Sequence, residues 1–310
     1  MLVWVKSFPS TGDPQAPAAR GAAKTLGAVV AAGAGLGAYA LLEPYLFRLK
    51  RIEVPWTRAD VPWTVLHLSD THMRLGSVRL RRWLTDLPGS LGETPDMILA
   101  TGDLIEDDSG IDPLLEALEG LRAHHGCFYV FGSHDYYQSK FQAYTKYVTG
   151  KRPVHAPKAD TARLEAGLKK AGWKPLTNST EVVDTDGGRI RVTGVDDPYI
   201  RRDRTDHIER EPDEVLALGL VHAPDVVSDY ALAGFDLVVA GHTHGGQVRV
   251  PGVGAIVTNC TLPSGLAGGL HRVGDTWLHV SPGLASGRFA PIRFNCRPEA
   301  TLLTFLPAGA

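Results

Sequence analysis

Five short apolar runs in this chain alternate with helix-forming stretches, and each run leads into an aspartate or a histidine. In chain order the runs are WTVLHLSD, DMILATGD, CFYVFGSHD, LALGLVHAP and FDLVVAGHTH. The stretches 78–87, 112–124 and 225–233 have helical patterns, and the second opens on Asp112 as an expected N-cap with Pro113 at the first helical position. Strands that alternate with helices predict parallel βαβ units in an α/β domain.

The polar residues that follow these runs indicate one ligand-binding edge. In open α/β sheets, ligands gather outside the carboxyl ends of the strands, so we expect the residues at the ends of all five runs to converge. The metal-ligand types among them are Asp70, His72, Asp103, His222, His242 and His244. Mixed carboxylate and imidazole sets suit Mn, Fe, Zn and similar divalent ions, and six donors exceed what one tetrahedral ion needs. The set fits two ions that share a bridging carboxylate and clamp a phosphoryl group during its displacement.

The same residues carry a resemblance to a known family. The motifs are DTH at Asp70 to His72, GD at Asp103, GSHD at His134, VH at His222 and GHTH at His242 to His244. In order and spacing, over residues 64–245, they resemble the calcineurin-like metallophosphoesterases. The hydrophobic N-terminal segment makes the chain similar to the membrane-associated, YkuE-like branch of actinobacterial type. The resemblance implies a metallo-dependent phosphatase-like β-sandwich flanked by helices, with an N-terminal hydrophobic anchor helix.

The resemblance also implies a role for each motif residue. Two divalent ions would be held by six side chains: the first ion by Asp70, His72 and His244, the second by His222 and His242, with Asp103 bridging. His134 would contact the substrate phosphate and act as a general acid, and Asp135 would orient it from behind. The implied activity is hydrolysis of a phosphomonoester, phosphodiester or pyrophosphate by a metal-bound hydroxide.

One position departs from the family pattern. Ser133 stands where the family usually has an asparagine that supplies an amide oxygen to the second metal. Three outcomes follow: Ser133 coordinates weakly or through water, His134 turns to the metal and leaves its usual role empty, or the second site binds metal poorly. The departure also supports an alternative function, a non-catalytic module that binds metal or phosphate.

The N-terminal segment differs in composition from the rest of the chain. Residues 1–24, rich in Pro, Ala and polar side chains, are predicted to form a flexible leader, and residues 25–47 a membrane-anchor helix. The uncharged stretch 25–42 is just long enough to cross a bilayer. A buried helix and a cleaved signal sequence are the alternatives. The metallophosphoesterase domain is predicted over residues 60–308.

Charge sets the expectations for orientation and partners. The basic residues that flank the anchor are Arg20 and Lys24 before it and Arg48, Lys50, Arg51 and Arg58 after it. By the positive-inside rule this excess favours the cytoplasmic face for the catalytic domain. A formal net charge of −2 gives no general attraction to nucleic acid, so no nucleic-acid partner is expected and a nuclease is the least favoured alternative. An anchored enzyme is expected to act on a lipid-linked or envelope-derived phosphate ester.

Overall fold

A computed structural model describes residues 16–56, 62–139 and 156–306 of the chain. The chain divides into two compact units, residues 1–40 and 41–310. Residues 1–15 of the predicted leader and Arg58 among the flanking charges lie outside the described residues. The last two residues of the predicted domain, 307 and 308, do so as well.

The first unit consists, where it is described, of the greater part of one helix, α1 (Ala16–Leu42). Residues 16–24 were predicted as flexible leader, and the structure makes them helical. The helix ends at Leu42 rather than at residue 47, because Pro44 cannot continue it and a short 3₁₀ turn follows at Glu43–Tyr45. Among the described residues, one helical stretch, Ala28–Tyr45, is long and apolar enough to cross a membrane, with a mean hydropathy of 1.2.

The second unit, residues 41–310, is the sandwich unit and contains every strand of the described part of the chain. The strands are β1 (Arg48–Pro55), β2 (Trp63–Leu68), β3 (Met97–Thr101), β4 (Cys127–Val130), β5 (Trp173–Pro175), β6 (Ser179–Thr185), β7 (Gly188–Val195), β8 (Glu214–Val221), β9 (Leu237–Ala240), β10 (Arg249–Val250), β11 (Gly254–Ala255), β12 (Gly269–Val273), β13 (Thr276–Val280) and β14 (Glu299–Leu306). The α-helices are α2 (Val78–Leu91), α3 (Ile111–Leu118), α4 (Ser133–Tyr136), α5 (Thr161–Lys170) and α6 (Val227–Leu232).

Two six-stranded sheets form the sandwich. The first has the order β1-β14-β2-β3-β4-β5, in which β2 to β5 are parallel. The second has the order β12-β13-β9-β8-β7-β6, in which β13, β9, β8 and β7 are parallel. These sheets confirm the predicted α/β sandwich class and its parallel units. The five apolar runs are nevertheless divided between the sheets, three in the first and two in the second.

Alternating side chains along the strands build the core in layers. On β2, Val65 belongs to the cluster between the two sheets, whereas Leu66 belongs to the cluster under α2, α3 and α5. On the outer face of the second sheet, Tyr230 of α6 packs in a third cluster with Val238 of β9. Full burial of one leucine or valine side chain stabilises a fold by about 1.5–3 kcal/mol. Because the parallel strands are covered on both faces, their sequences read as continuous apolar runs.

The helices differ from their predicted bounds at their ends. Helix α2 continues to Leu91 although Pro88 lies inside it. Helix α3 ends at Leu118 instead of residue 124, and Asp112 is not its N-cap, because a 3₁₀ turn at Asp108–Gly110 leads directly into the helix. Helix α6 is shorter than the predicted 225–233, since its first turn is also 3₁₀.

Strand β1 belongs to the same sheet as the predicted domain, which was expected to begin only at residue 60. All its residues pair with β14 in parallel. Arg48 and Lys50 approach the Glu299 carboxylate to 2.6 and 3.9 Å. Part of the positive charge that follows α1 is therefore built into the sheet, and the sandwich begins by residue 48.

A buried polar contact joins the two sheets inside this otherwise apolar core. His67 of β2 and His279 of β13 are fully buried, and their Nδ1 atoms lie 2.8 Å apart. Burial lowers the pKa of His67 well below its ordinary value and lowers that of His279 to about 3. Both imidazoles are therefore neutral in the folded protein near pH 7.

We expect the metal-free protein to lose stability as the pH falls below about 6.5. In the unfolded chain these two histidines become protonated near that pH, whereas in the folded protein they stay neutral. Between pH 7.5 and 5.5 the free energy of unfolding should fall by about 1.4 kcal/mol for each such histidine. Urea unfolding of wild type and His279→Gln at both pH values measures this change in the free energy of unfolding. The substitution should reduce the pH dependence, and an unchanged dependence would refute the explanation.

Candidate metal centre

The carboxyl ends of strands from both sheets bring the predicted ligands together. Asp70 and His72 follow β2, Asp103 follows β3, His222 follows β8, and His242 and His244 follow β9. Three groups have ligand atoms that all lie within 4.8 Å of one another: Asp70 with His72 and His244, His72 with Asp103 and His134, and Asp70 with Asp103 and His222. His242 is in none of these groups, but its Nδ1 lies 3.2 Å from His222 Nε2. The structure thus brings all six predicted ligands into one neighbourhood, with His134 beside them.

Five of the six predicted ligands have backbone in the left-handed region. The φ angles of Asp70, His72, Asp103, His242 and His244 are 50°, 38°, 48°, 67° and 49°. Such conformations cost of order 1–3 kcal/mol each and persist only where the surrounding structure holds them. They turn the chain sharply at the strand ends, so that neighbouring side chains point into the same space.

Gly132 allows two of the ligand-bearing loops to meet. A methyl group at this position would overlap Asp103 and would lie 2.8 Å from His222 Cδ2. The amide of Gly132 donates to Asp135 Oδ2 at 2.9 Å. The loop after β4 therefore packs directly against the ligands from β3 and β8.

Two candidate ligand nitrogens face each other across the site. His222 Nδ1 lies 2.7 Å from the carbonyl oxygen of Thr101, and His242 Nε2 lies 3.1 Å from that of Asn259. A carbonyl only accepts, so each of these nitrogens carries a proton. His222 Nε2 and His242 Nδ1, which are 3.2 Å apart, are the nitrogens left to bind a cation. Burial opposes protonation of His222, but the Asp103 carboxylate prevails and raises the pKa of His222 well above its ordinary value, so a proton holds the place on Nε2 that a divalent metal ion would take.

Asp103 presents one oxygen to the imidazoles of both predicted ion sites. Its Oδ1 accepts the backbone amide of His134 at 2.7 Å. Its Oδ2 lies 3.3 Å from His222 Nε2 and 3.6 Å from His72 Nε2. Burial raises the pKa of Asp103, but the surrounding histidines outweigh burial and hold it well below its usual range. An ionised oxygen at this place has the position that a bridging ligand requires.

Glu106, which the sequence reasoning missed, fixes the ring of His72. The Glu106 Oε2 atom lies 2.7 Å from His72 Nδ1, and Oε1 accepts the amide of Arg288 at 2.9 Å. His72 Nε2 is buried and has no hydrogen-bond partner. Burial opposes protonation of His72, but the Glu106 carboxylate prevails and raises the pKa to about 9. A carboxylate behind a histidine is the usual arrangement for orienting a metal ligand. The one sequence signal was its place three residues after Asp103 in the same loop.

His134 lies at the site, but its partner is not the predicted one. Its Nδ1 is 2.9 Å from Ser139 Oγ, and its ring centroid is 4.8 Å from that of His72. The Asp135 carboxylate, expected to orient His134, instead accepts backbone amides, including that of Leu104 at 2.8 Å. Asp135 therefore holds the loops after β3 and β4 together and does not orient the His134 ring.

A cavity of about 330 Å³ opens over these residues, lined among others by His72, Ser133 and Tyr199. Tyr199, also missed, has its ring centroid 4.6 Å from that of His242. Asp197 is fully buried, and burial raises its pKa to about 7. Both residues come from the 3₁₀ turn after β7, a segment whose direction could not be read from the sequence.

Comparisons with known proteins agree with this geometry. Residues 64–246 match the model of the calcineurin-like phosphoesterase family. An uncharacterised metallophosphoesterase, YkuE of Bacillus subtilis, is 28% identical over 220 residues, covering 68% of each chain. YkoQ of the same organism, also an uncharacterised metallophosphoesterase, is 29% identical over 210 residues (66% of this chain and 71% of that one). The phosphodiesterase YaeI of Escherichia coli is 29% identical over 213 residues (68% and 70%). The chain belongs to the calcineurin-like phosphoesterase family and is a hydrolase of phosphoric ester bonds.

Proposed function

We propose that the protein is a membrane-anchored phosphoesterase with a dinuclear metal site, which hydrolyses a phosphomonoester, phosphodiester or pyrophosphate. One observation carries the metal assignment: His222 Nε2 and His242 Nδ1 face each other at 3.2 Å beside the Asp103 carboxylate, while the other nitrogen of each ring is bound to a backbone carbonyl. The carbonyls thus orient both rings so that the remaining nitrogens are directed to one place, as a metal site requires.

In the proposed site the first ion is held by Asp70, His72 and His244, the second by His222 and His242, with Asp103 contributing to both. When bound, such ions lower the pKa of water and stabilise the charge that develops on a phosphoryl group. The chain itself fixes the ligands: backbone carbonyls orient His222 and His242, and Glu106 orients His72.

We assign His134 to the substrate phosphate and its leaving group. Burial lowers the pKa of His134, so the ring is neutral near pH 7 before substrate binds. An incoming phosphate carries negative charge, which favours the protonated ring and prepares it to donate a proton to the leaving oxygen. His134 groups with His72 and Asp103 but not with His222, which argues against a place for His134 beside the second ion, where Ser133 replaces the usual asparagine.

His134→Ala should lower kcat by about 10²- to 10⁴-fold, the usual contribution of a general acid, while the bound metal per chain stays as in wild type. Steady-state kinetics and elemental analysis of the same preparation measure both quantities. Loss of one ion per chain in this variant would instead make His134 a ligand of the second metal and overturn the assignment.

A second cavity, which shares the lining residue His72 with the first, supports the proposed substrate class. This cavity, of about 450 Å³, is lined among others by Phe47, Arg74 and Arg79. Apolar and cationic walls beside the ester site suit a phosphate ester that carries an acyl or isoprenoid chain, either lipid-linked or derived from the envelope. A long-chain phosphate ester should have a higher kcat/KM than its short-chain analogue, and equal values would contradict this substrate class.

We also propose that α1 anchors the protein and that the sandwich unit faces the cytoplasm. The apolar stretch Ala28–Tyr45 supports the anchor. The orientation rests on the excess of basic residues after the helix, part of which lies in β1. Cys260 is half-buried, whereas Cys127 and Cys296 are buried. Labelling of Cys260 by a membrane-impermeant maleimide in right-side-out vesicles would therefore contradict this orientation.

Ser133 favours a second candidate, a module that binds metal or phosphate without turnover. Hydrolysis of bis(p-nitrophenyl) phosphate and p-nitrophenyl phosphate with added Mn²⁺ separates the two. The proposed enzyme turns over at least one of them, loses activity to a chelator and regains it with Mn²⁺. Retained phosphate binding without turnover under any divalent ion would establish the second candidate and refute the first.

A further inference from the structure

A continuous chain of buried polar groups runs from Asp70 into the core between the sheets. The Ser69 hydroxyl donates to Asp70 Oδ2 at 2.5 Å, and the Thr101 hydroxyl donates to Ser69 Oγ at 2.7 Å. Beyond them, His67 Nε2 lies 2.9 Å from Thr101 Oγ1, and His67 Nδ1 lies 2.8 Å from His279 Nδ1. Every one of these side chains has an exposed fraction of zero. None of the proposed catalytic steps uses His67 or His279.

The two ends of the chain fix the direction of every hydrogen bond in it. The Ser69 hydroxyl gives its proton to Asp70 and accepts from Thr101, as it must when Asp70 is the ionised ligand of a cation and can only accept. The Thr101 hydroxyl has then used its one proton, so His67 Nε2 must be protonated. A neutral His67 has no second proton, and its Nδ1 therefore accepts from a protonated Nδ1 of His279.

The far end requires the same direction independently. His279 Nε2 is buried and has no hydrogen-bond partner. A buried N–H without an acceptor is rare in folded proteins, so this nitrogen carries a lone pair and the proton of the ring lies on Nδ1. Burial keeps both rings neutral near pH 7. Every proton in the chain thus points toward Asp70.

The consequence at the site is a choice between the two oxygens of Asp70. With Oδ2 held by Ser69, Oδ1 is the oxygen that faces the imidazoles, 3.8 Å from His244 Nε2 and 4.0 Å from His72 Nε2. A carboxylate that is free to rotate would present either oxygen. Binding a cation would then have to fix its orientation, and this entropic cost would lower the affinity for the cation.

We infer that His67 and His279, acting through Thr101 and Ser69, are positioning residues that orient Asp70 for the first metal ion. The inference rests on the proposed function, because the orientation of Asp70 matters only if Asp70 is a ligand. Partners behind a metal ligand contribute about 10- to 100-fold in metal affinity, and we assign an effect of this size to the chain.

The test compares Thr101→Val with Thr193→Val in the full-length protein in detergent. Thr193 is equally buried and lies on β7, and its hydroxyl hydrogen-bonds that of Thr180 at 2.9 Å rather than any group of the polar chain described above. Thr101→Val should weaken Mn²⁺ binding about 10- to 100-fold, and Thr193→Val should leave it unchanged at a similar loss of stability. Equal Mn²⁺ affinities in the two variants would overturn the inference.

Two further measurements keep the inference testable if Thr101→Val fails to fold. His67→Gln retains a donor toward Thr101 and should bind Mn²⁺ much better than His67→Leu, whereas a merely space-filling residue would give equal values. Nitrogen NMR of wild type should show His67 protonated on Nε2 and His279 on Nδ1, and the opposite tautomers would refute the directed chain. Neither readout requires turnover, so a wild-type protein that hydrolyses no ester would refute the proposed function and still leave the chain tested.

Discussion

Asp103→Asn should abolish most of the phosphoesterase activity and lower the metal content of the protein. Asp103 Oδ2 lies 3.3 Å from His222 Nε2 and 3.6 Å from His72 Nε2, so a neutral amide there removes the negative charge that the two proposed ions would share while preserving the shape of the side chain. Because bound ions supply several kcal/mol of transition-state stabilisation, the loss should be about 10²- to 10³-fold in kcat/KM.

The matched control is Asp112→Asn, the same chemical change on the surface of α3. The Asp112 side chain is 67% exposed and pairs with Arg163, and exposed pairs of this kind contribute little. Its activity and metal content should equal those of wild type. Full activity of Asp103→Asn at saturating Mn²⁺ would contradict the assignment of Asp103 as a metal ligand.

Gly241→Ala should lower both activity and stability, although it adds a single methyl group. At this position a Cβ would overlap Ser69 Oγ and Asp70 Oδ2, and the neighbouring amide of His242 donates to the same carboxylate at 3.2 Å. Even a small displacement of the Asp70 carboxylate moves its oxygens out of the position that metal binding requires. A misplacement of this kind costs about 10²-fold in rate, and overpacking a buried site costs about 1–3 kcal/mol of stability.

Gly89→Ala serves as the control for the added methyl group. Gly89 lies in α2 with no atom within 4 Å of the position its Cβ would occupy, so its activity should be unchanged. Kinetics, Mn²⁺ affinity and thermal unfolding of both variants measure the two effects separately. A Gly241→Ala protein with wild-type Mn²⁺ affinity would show that the ligands do not need the close approach of these two loops.

The sequence predicted the strands and ligands whose signals are local. Apolar runs such as 63–68 and 237–240 are buried on both faces and therefore stand out in composition, and each leads directly into its ligand. The polar residues that follow these strands converge because the carboxyl ends of parallel strands lie at the same edge of a sheet. For that reason His222, whose VH motif is short, could be predicted to lie near Asp70 and Asp103, and the structure brings the three together.

The parts that could not be predicted depend on contacts between residues far apart in the chain. Glu106 is recognisable only from its distance to His72, and His279 is 212 positions away from His67. Aspartate is a favoured N-cap residue, but the 3₁₀ turn before Asp112 leads directly into α3, which begins at Ile111. Asp135 was predicted to orient the His134 ring because it is the next residue in the sequence. Its carboxylate instead accepts backbone amides of the loop after β3.

The central claim is that Asp70, His72, Asp103, His222, His242 and His244 hold two divalent ions. An anomalous difference map from crystals grown with Mn²⁺, recorded at the manganese absorption edge, tests it most directly. Two peaks are expected, one against Asp70, His72 and His244 and the other against His222 and His242, with Asp103 touching both. A map without a peak among these side chains would contradict the claim, and a single peak would refute the dinuclear site.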